Sequence, residues 1–273
     1  MVENSLYSVL VGESEKVRWQ LSDIDWSRLQ PELASPALRA LVREMAFSEH
    51  ATFSATQKFM QTFFADIDFT SWLSVWFYEE TRHPHILMAW LERLGDPVDE
   101  AFVLNGRVST PFMKSVTGTL VTNIISEVAA ANAYGIMAET VQEPVLAQIA
   151  RYISGDEARH ASAFFGYAKR RIGREPDVAR QRLDALKVLH FWLEEKDQVT
   201  HPINQMIERL SSERGNIASQ ALNFDLAVIR RRVTAMVGHL LGLELRSAQD
   251  VGEQLRRLTV EVHEQQRAGR DNA

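Results

Sequence analysis

Apolar residues recur at helical spacing along most of the chain, and no useful stretch alternates with the two-residue period of a β-strand. Ser35 and Pro36 have the character of an N-cap and a first helical residue, and Thr70 or Ser71 can cap a following helix. Four long helices are predicted, over residues 38–64, 72–94, 111–142 and 144–172. The pattern therefore indicates an all-α protein.

The remaining segments are arranged around these four helices. Residues 1–34 have mixed polarity, with Trp19 and Trp26 among charges, and predict a strap packed over a helical core. Residues 35–173 form that core, residues 174–267 predict additional helices, and the small polar residues 268–273 are expected to fray. Within the additional helices the pattern runs to about Thr200, restarts after Pro202, and recurs over 223–241 and 247–266. We expect one helical domain over residues 1–273.

Two short segments inside the predicted helices repeat each other. They are Glu79-Glu80-Thr81-Arg82-His83 and Asp156-Glu157-Ala158-Arg159-His160. Each contains Glu-x-x-His, and a spacing of three residues places both side chains on one face of a helix. A further Glu lies on the predicted helix before each motif. Glu49 lies 31 residues before Glu80, and Glu127 lies 30 residues before Glu157.

Four carboxylates and two imidazoles in this order are the ligand set of a two-metal site inside a four-helix bundle of the ferritin-like class. The predicted metal ligands are Glu49, Glu80, His83, Glu127, Glu157 and His160. Hard oxygen ligands with one imidazole per ion suit iron or manganese better than zinc, and a mixed pair is left open. Glu44 competes with Glu49, but it lies nearer the start of its helix. His50, His85, His190, His201, His239 and His263 lack ligand spacing.

Each ligating imidazole must also give its second N–H to an acceptor. Glu79 and Asp156 directly precede the two motif glutamates and point about 100° away around the helix. They are candidate acceptors across the bundle, and Arg82 and Arg159 are expected to neutralise them. Ordinary surface ion pairing is the alternative for all four residues.

The composition bears on the location of the protein, on the cofactors it can bind and on its partners. The 273 residues are 45% hydrophobic and 24% charged, with a net charge of −6 and no cysteine. No apolar run is long enough for a membrane span, and the acidic start lacks the features of a signal peptide, so a cytoplasmic location is expected. Without cysteine there is no disulfide, thiolate zinc site or iron–sulfur cluster. Electrons for a metal site must therefore come from another protein, and the negative charge makes nucleic acid a poor partner.

At these motifs the chain resembles the soluble acyl-acyl-carrier-protein desaturases, a branch of the ferritin-like di-iron carboxylate proteins. The resemblance covers residues 38–205 and includes three stretches, Thr70-Ser71-Trp72 with Trp76, Glu79 to His83, and Asp156 to Lys169. It implies a homodimeric, non-haem di-iron enzyme that uses O₂ and electrons from a ferredoxin to oxidise an unactivated C–H bond. The implied reaction is desaturation or hydroxylation of an acyl chain on acyl carrier protein. Lys169 to Arg174, or Arg230 to Arg232, are candidate basic docks for that acidic carrier. A solvated helix end, where cations are favoured, is the alternative for the first run.

Two positions depart from the resembled family. Ala130 occupies the place, three residues after Glu127, where the family commonly has threonine, and Pro84 directly follows His83. Pro84 predicts a local bend or bulge, because it removes the amide that would bond the Glu80 carbonyl. N-oxygenation or hydroxylation of a small secondary-metabolite precursor thus remains an alternative to acyl chemistry. A ferritin-like metal-binding protein without catalysis is the second alternative. The resemblance makes Trp19 or Trp26 a candidate for the family's N-terminal tryptophan, which links the metals toward the surface, and ordinary packing is the favoured alternative for both.

Overall fold

A computed structural model describes residues 5–107, 115–172, 177–194 and 226–271. In chain order its α-helices are α1 (Leu6–Val17), α2 (Pro36–Glu49), α3 (Thr52–Thr62), α4 (Ile67–Arg93), α5 (Glu100–Gly106), α6 (Val116–Thr140), α7 (Pro144–Ile172), α8 (Val178–Leu193), α9 (Leu226–Leu241) and α10 (Ala248–Asp271). Short 3₁₀ helices at Leu21–Asp23, Trp26–Arg28 and Pro31–Leu33 follow α1. These ranges contain no strand, which confirms the all-α prediction. None of their helices combines the length and apolar character that crossing a bilayer requires.

The chain divides into two compact units, and the division falls inside the continuous helices α6 and α7. The first unit contains the described residues 5–107 and 130–160. Four of its helical segments, α2, α4, the end of α6 and the start of α7, bury one apolar core. Fully buried members include Val42, Leu87, Trp90, Met137 and Ile149. This core holds the helices that carry both Glu-x-x-His motifs.

The first predicted helix is interrupted in the structure, directly after Glu49. The helix predicted over 38–64 is in fact α2 and α3, and His50 and Ala51 form the turn between them. The His50 N–H donates to the Phe47 carbonyl at 3.3 Å and the Ala51 N–H to the Ser48 carbonyl at 3.1 Å. Such bonds three residues back tighten the helix and replace the usual bonds four residues back. Glu49 is therefore the last residue of a helix, where the sequence predicted a position near the middle.

The start of α4 also differs from the prediction. Helix α4 begins at Ile67, five residues before the predicted start at Trp72. The cap is Asp66, whose carboxylate accepts the Phe69 N–H at 3.0 Å. Thr70 instead lies inside the first turns, with its hydroxyl donating to the Asp66 carbonyl at 2.8 Å. The helix continues through Pro84, and the bend expected there stays a prediction.

Helix α7 is capped by a buried carboxylate. Glu143 is fully buried and precedes Pro144, the first residue of α7. Its side chain accepts the backbone N–H groups of Val145 and Leu146, at 3.3 and 2.8 Å. The same carboxylate accepts the Gln30 N–H at 3.1 Å and the Trp90 indole N–H at 2.7 Å. One side chain thus joins the 3₁₀ segment before α2, helix α4 and the start of α7.

The second unit contains the described residues 115–129, 161–172, 177–194 and 226–271. Helix α8 packs against α9 and α10 in this unit. Its buried apolar residues include Leu186, Leu189, Val237, Val251 and Leu258. Gly242 ends α9 at a positive φ of 65°, a conformation that glycine adopts without steric cost. The helices predicted over 223–241 and 247–266 correspond to α9 and α10. The end of the helix predicted to run to about Thr200, the helix predicted after Pro202, the start of the third predicted helix at Pro111, His201 and Arg174 lie outside the described residues.

Candidate metal centre

The two Glu-x-x-His motifs meet inside the first unit. Glu80 and His83 project from α4, and Glu157 and His160 project from α7; all four side chains are buried. The two imidazole rings lie 6.1 Å apart between centroids. One ligand atom from each of Glu49, Glu80, His83 and Glu157 lies within 4.8 Å of the others. The same separation holds among Glu80, Glu157 and His160.

Glu80 and Glu157 each extend one oxygen toward each histidine. The Nδ1 atom of His83 lies 3.3 Å from Glu157 Oε1 and 4.0 Å from Glu80 Oε2. The Nδ1 atom of His160 lies 2.9 Å from Glu80 Oε1 and 3.6 Å from Glu157 Oε2. Glu49 approaches only the first imidazole, with its Oε2 3.7 Å from His83 Nδ1. Two carboxylates therefore lie between two imidazoles, and a third carboxylate stands on the His83 side.

The Nε2 atom of each histidine contacts an acid on the opposite helix. His83, on α4, faces Asp156 of α7 with 3.2 Å between Nε2 and Oδ2. His160, on α7, faces Glu79 of α4 with 3.0 Å between Nε2 and Oε2. A carboxylate accepts, so each Nε2 atom donates its proton outward, and each Nδ1 atom faces the inner carboxylates, where a metal ion would replace its proton. Each motif thus supplies the acid that orients the histidine of the other motif.

Both orienting acids remain ionised in this environment. Burial by itself raises the pKa of Glu79, but hydrogen bonding to His160, the charge of His160 and the Ser14 hydroxyl hold this pKa at about 2. Burial likewise raises the pKa of Asp156, and hydrogen bonding to His83 together with the charges of His83, His160 and Arg159 outweighs it, so this pKa is well below its usual range. Ionised acceptors make each imidazole a stronger metal ligand.

The segment after α1 contacts both orienting acids. The Ser14 hydroxyl donates to Glu79, and Arg18 Nε donates to the same carboxylate at 3.2 Å. The Trp19 indole N–H donates to Asp156 Oδ2 at 2.8 Å. Of the two tryptophans considered from sequence, Trp19 therefore contacts the centre, whereas Trp26 lies under the Arg93 guanidinium at 3.7 Å. Nothing in the helical spacing of residues 1–34 indicated which tryptophan would reach Asp156.

Arg82 and Arg159 lie beside the same acids. Arg82 is buried, donates to Asp156 at 3.2 Å, and places its guanidinium 4.5 Å from the centre of the Trp19 ring. Arg159 pairs with Asp156 and lies 3.7 Å from Glu79. Two cations thus stand against two orienting anions, on the side of the histidines away from the ligand cluster.

Neutral hydroxyl groups hold two of the inner carboxylates, and neither was anticipated from the sequence. The Tyr134 hydroxyl donates to Glu49 Oε1 at 2.5 Å, and the Thr52 hydroxyl donates to Glu80 Oε2 at 3.0 Å. Burial, and then the charge of Glu49, raise the pKa of Tyr134 well above its usual value, so the phenol stays protonated. The available signals were weak, because a tyrosine two turns after Glu127 and a threonine three residues after Glu49 fit ordinary helix packing equally well.

Glu127 belongs to the second unit and lies on α6, three residues before the part of that helix in the first unit. Its side chain is buried, and the Asn123 amide one turn earlier donates to its Oε1 at 2.7 Å. The Glu127 carboxylate is therefore oriented by a residue of its own helix.

The competing residues do not join the cluster within the described chain. Glu44 belongs to none of the groups of acids and histidines there that have metal-binding separations. The His50 ring is buried between Phe53 and Phe102, at 6.4 and 6.3 Å between centroids. Burial, followed by the charge of Arg107, lowers the pKa of His50. This histidine therefore packs as a neutral ring.

The donor set fits divalent metal ions. Three carboxylates and two imidazoles converge in a buried region, and burying like charges together is costly unless cations neutralise them. Carboxylates that face two centres at once are the usual bridges of two-metal sites, whose ions lie about 3.5–4 Å apart. The five predicted ligands of the first unit are therefore of the right types, at suitable separations, for iron or manganese.

Metal affinity is expected to rise with pH through the titration of His83. In the metal-free protein burial lowers the pKa of His83, but hydrogen bonds to Asp156, Glu157 and Glu49 outweigh it and raise this pKa well above 6.5. A metal must displace that proton from Nδ1, so below the raised pKa each fall of one pH unit weakens binding about tenfold. Mn²⁺ titrations between about pH 6 and about pH 9 measure this slope. A constant affinity over that range would contradict the assignment of His83 as a ligand.

Comparison with known proteins places these features in a family. A sequence model of the fatty acid desaturase family matches residues 25–208. No curated protein sequence matches the chain significantly. Among solved structures, an R2-like ligand-binding oxidase variant with a Mn/Fe cofactor aligns with a TM-score of 0.60 at 16% identity, covering 90% of this chain and 95% of that chain. A variant with an Fe/Fe cofactor aligns with a TM-score of 0.59 at 15% identity and the same coverage. This likeness confirms the predicted ferritin-like fold.

Proposed function

Since the chain belongs to the fatty acid desaturase family, we propose that its two-metal centre drives the O₂-dependent oxidation of an unactivated C–H bond. The observation that supports this most directly is the placement of Glu80 and Glu157, each with one oxygen toward His83 and the other toward His160. Two carboxylates shared between two imidazoles suit a pair of closely spaced ions better than a single structural ion.

Six residues are proposed to hold the two ions. Glu49 and His83 would hold one ion, Glu127 and His160 would hold the other, and Glu80 and Glu157 would contribute to both. Glu127 is included because the internal repeat gives it the relation to Glu157 that Glu49 has to Glu80, and because its carboxylate is buried and already oriented by Asn123. Two irons are the expected content, and a mixed manganese–iron pair is the alternative, as in the oxidases of similar fold.

The bound metals would supply the redox chemistry toward O₂ that no side chain of this protein provides. The chain contributes orientation, protonation and shielding. Asp156 and Glu79 hold the protons of the two Nε2 atoms, so both Nδ1 atoms stay available as ligands. Trp76 is almost fully buried and Phe59 fully buried, and their rings lie 5.6 Å apart at the α3–α4 packing. Such packed aromatic residues keep water out of the first unit's interior.

The proposed reaction requires electrons from outside the chain. The sequence has no cysteine, so it carries no iron–sulfur cluster of its own. We propose a ferredoxin-type donor, with O₂ as the co-substrate and a homodimer as the working form. The absence of a reductant in the sequence supports the external donor, and the family supports O₂ and the homodimer.

An acyl chain on acyl carrier protein is the proposed substrate. The carrier is acidic, and Lys169 and Arg170 at the end of α7 are exposed, as are Arg231 and Arg232 on α9. These basic residues, all in the second unit, are candidate contacts for the carrier. Arg174, the last residue of the first basic run, lies outside the described part of the chain.

A second candidate function is hydroxylation or N-oxygenation of a small molecule. It is favoured by Ala130 and Pro84, which stand where the desaturases resembled by this sequence commonly carry other residues. Both candidates use the same ligands, so they differ only in the substrate that is oxidised.

Single-turnover chemistry distinguishes these functions. The protein is loaded anaerobically with Fe²⁺, whose two ions supply the two electrons of one turnover, and is exposed to O₂ with a panel of acyl carriers and arylamines. Mass spectrometry is expected to show loss of two hydrogens or gain of one oxygen in an acyl group. Oxidation of an arylamine alone would favour the second candidate. Iron oxidation without substrate change, in a multi-subunit shell, would replace both by iron storage.

A further inference from the structure

Glu49 differs from the other first-unit ligands in its backbone position. Glu80, His83, Glu157 and His160 lie well inside the long helices α4 and α7, whereas Glu49 is the last residue of α2. Its side chain is 12% exposed, compared with 5% for Glu80 and 3% for Glu157. Among these ligands, Glu49 therefore combines a position at a helix end with the most exposed side chain.

The two oxygens of Glu49 have different surroundings. Oε2 faces the cluster and lies 3.7 Å from His83 Nδ1. Oε1 accepts the hydroxyl of Tyr134, on α6, at 2.5 Å. A phenol that donates to a carboxylate at this distance makes a charge-assisted hydrogen bond, which is about twice as strong as a neutral one. One oxygen is thus engaged on the side away from the metals, and only the other is offered to them.

Packing alone does not account for a tyrosine at position 134. The ring is 2% exposed and lies in the apolar core with Val42, Met45 and Met137. A phenylalanine would fill the same space, whereas a buried hydroxyl is costly unless it is bonded. The Glu49 carboxylate provides that bond, and the Tyr134 hydroxyl in turn limits the rotation of the Glu49 side chain.

We infer that Tyr134 is a positioning residue that fixes Glu49 as a one-oxygen ligand and thereby sets the metal affinity of the His83 side of the centre. The inference rests on the proposed two-metal function. It concerns one position of the pair, because Glu49 approaches only His83 in the first unit. Residues that orient ligands through hydrogen bonds typically change metal affinity by about 10- to 100-fold.

The test is stepwise Mn²⁺ binding to the full chain, with EPR of the free ion, in Tyr134→Phe. One of the two binding steps is expected to weaken about tenfold while the other keeps its affinity. In the anaerobic Fe²⁺ protein, near-infrared magnetic circular dichroism should report a changed coordination number at one iron, because Glu49 is released to bind through both oxygens. Tyr7→Phe, which removes a tyrosine hydroxyl from α1 in the same unit, is the matched control and should leave both steps unchanged.

A double-mutant cycle separates positioning from general stability. If Tyr134 acts through Glu49, adding Tyr134→Phe to Glu49→Ala should cause no further loss of Mn²⁺ affinity. An equal loss in both backgrounds, or failure of the single Phe variant to fold as judged by far-UV circular dichroism, would overturn the inference in favour of a structural role. So would unchanged binding in Tyr134→Phe, and in that case the two-metal proposal would stand. Absence of Mn²⁺ binding in the wild type would overturn both.

Discussion

Glu157→Ala is expected to abolish two-metal binding. Glu157 faces both imidazoles, with its oxygens 3.3 Å from His83 Nδ1 and 3.6 Å from His160 Nδ1, so its loss removes a ligand from both positions at once. The expected occupancy is one ion or none, with affinity reduced by more than about 100-fold, the upper end for residues that only orient ligands. Elemental analysis after anaerobic Fe²⁺ loading measures the occupancy.

The metal-free form of this variant provides a control for folding. Metal-free Glu157→Ala should keep the far-UV circular dichroism spectrum of wild type, because alanine is a strong helix former in the interior of α7. Glu92→Ala, an exposed acid on α4, is the matched surface substitution and should bind two ions. Full two-metal occupancy in Glu157→Ala would refute the ligand assignment.

Glu143→Ala is expected to destabilise the protein more than any surface substitution. Its carboxylate accepts hydrogen bonds from Gln30, Trp90, Val145 and Leu146, and all four donors would lose their partner. Leaving buried donors unsatisfied predicts a loss of about 3–5 kcal/mol in the free energy of unfolding. Denaturant unfolding followed by circular dichroism measures it, with a chelator present so that metal binding does not contribute.

Two further variants make this prediction specific. Glu143→Gln keeps one carbonyl oxygen as an acceptor and is expected to lose roughly half as much stability. Glu139→Ala removes an exposed acid from α6 and should change the free energy of unfolding by less than about 0.5 kcal/mol. Equal stability of Glu143→Ala and Glu139→Ala would show that the buried cap contributes nothing.

Local sequence rules predicted several helix boundaries correctly. Pro144 starts α7 and Ile172 ends it, as the capping and breaking signals indicated, because these signals act within one turn of the chain. The break after Glu49 was not predictable in this way. Residues 50 and 51 are His and Ala, with neither the glycine nor the proline that marks a helix boundary in sequence.

In the candidate site, too, the features within one helix were predictable from sequence, and those that depend on helix packing were not. The spacing of Glu80 with His83, and of Glu157 with His160, follows from helical geometry, so the sequence alone predicted that each Glu and His lie on one helix face. Helical geometry also showed that Glu79 and Asp156 point away from those ligands. It did not show that each would meet the histidine of the opposite motif, because that depends on how α4 packs against α7.

The sequence by itself thus determined the helical class, the two Glu-x-x-His pairs on single helix faces and the absence of any cysteine-based redox group, since these depend on residue type and on spacing within single helices. The tertiary structure alone decided that Trp19, Ser14 and Arg18 reach the orienting acids, that Glu49 ends its helix, and that Tyr134 and Thr52 hold the inner carboxylates. These contacts join residues from 28 to 137 positions apart in the chain. Such pairings arise from the packing of whole helices, which no local pattern of residues specifies.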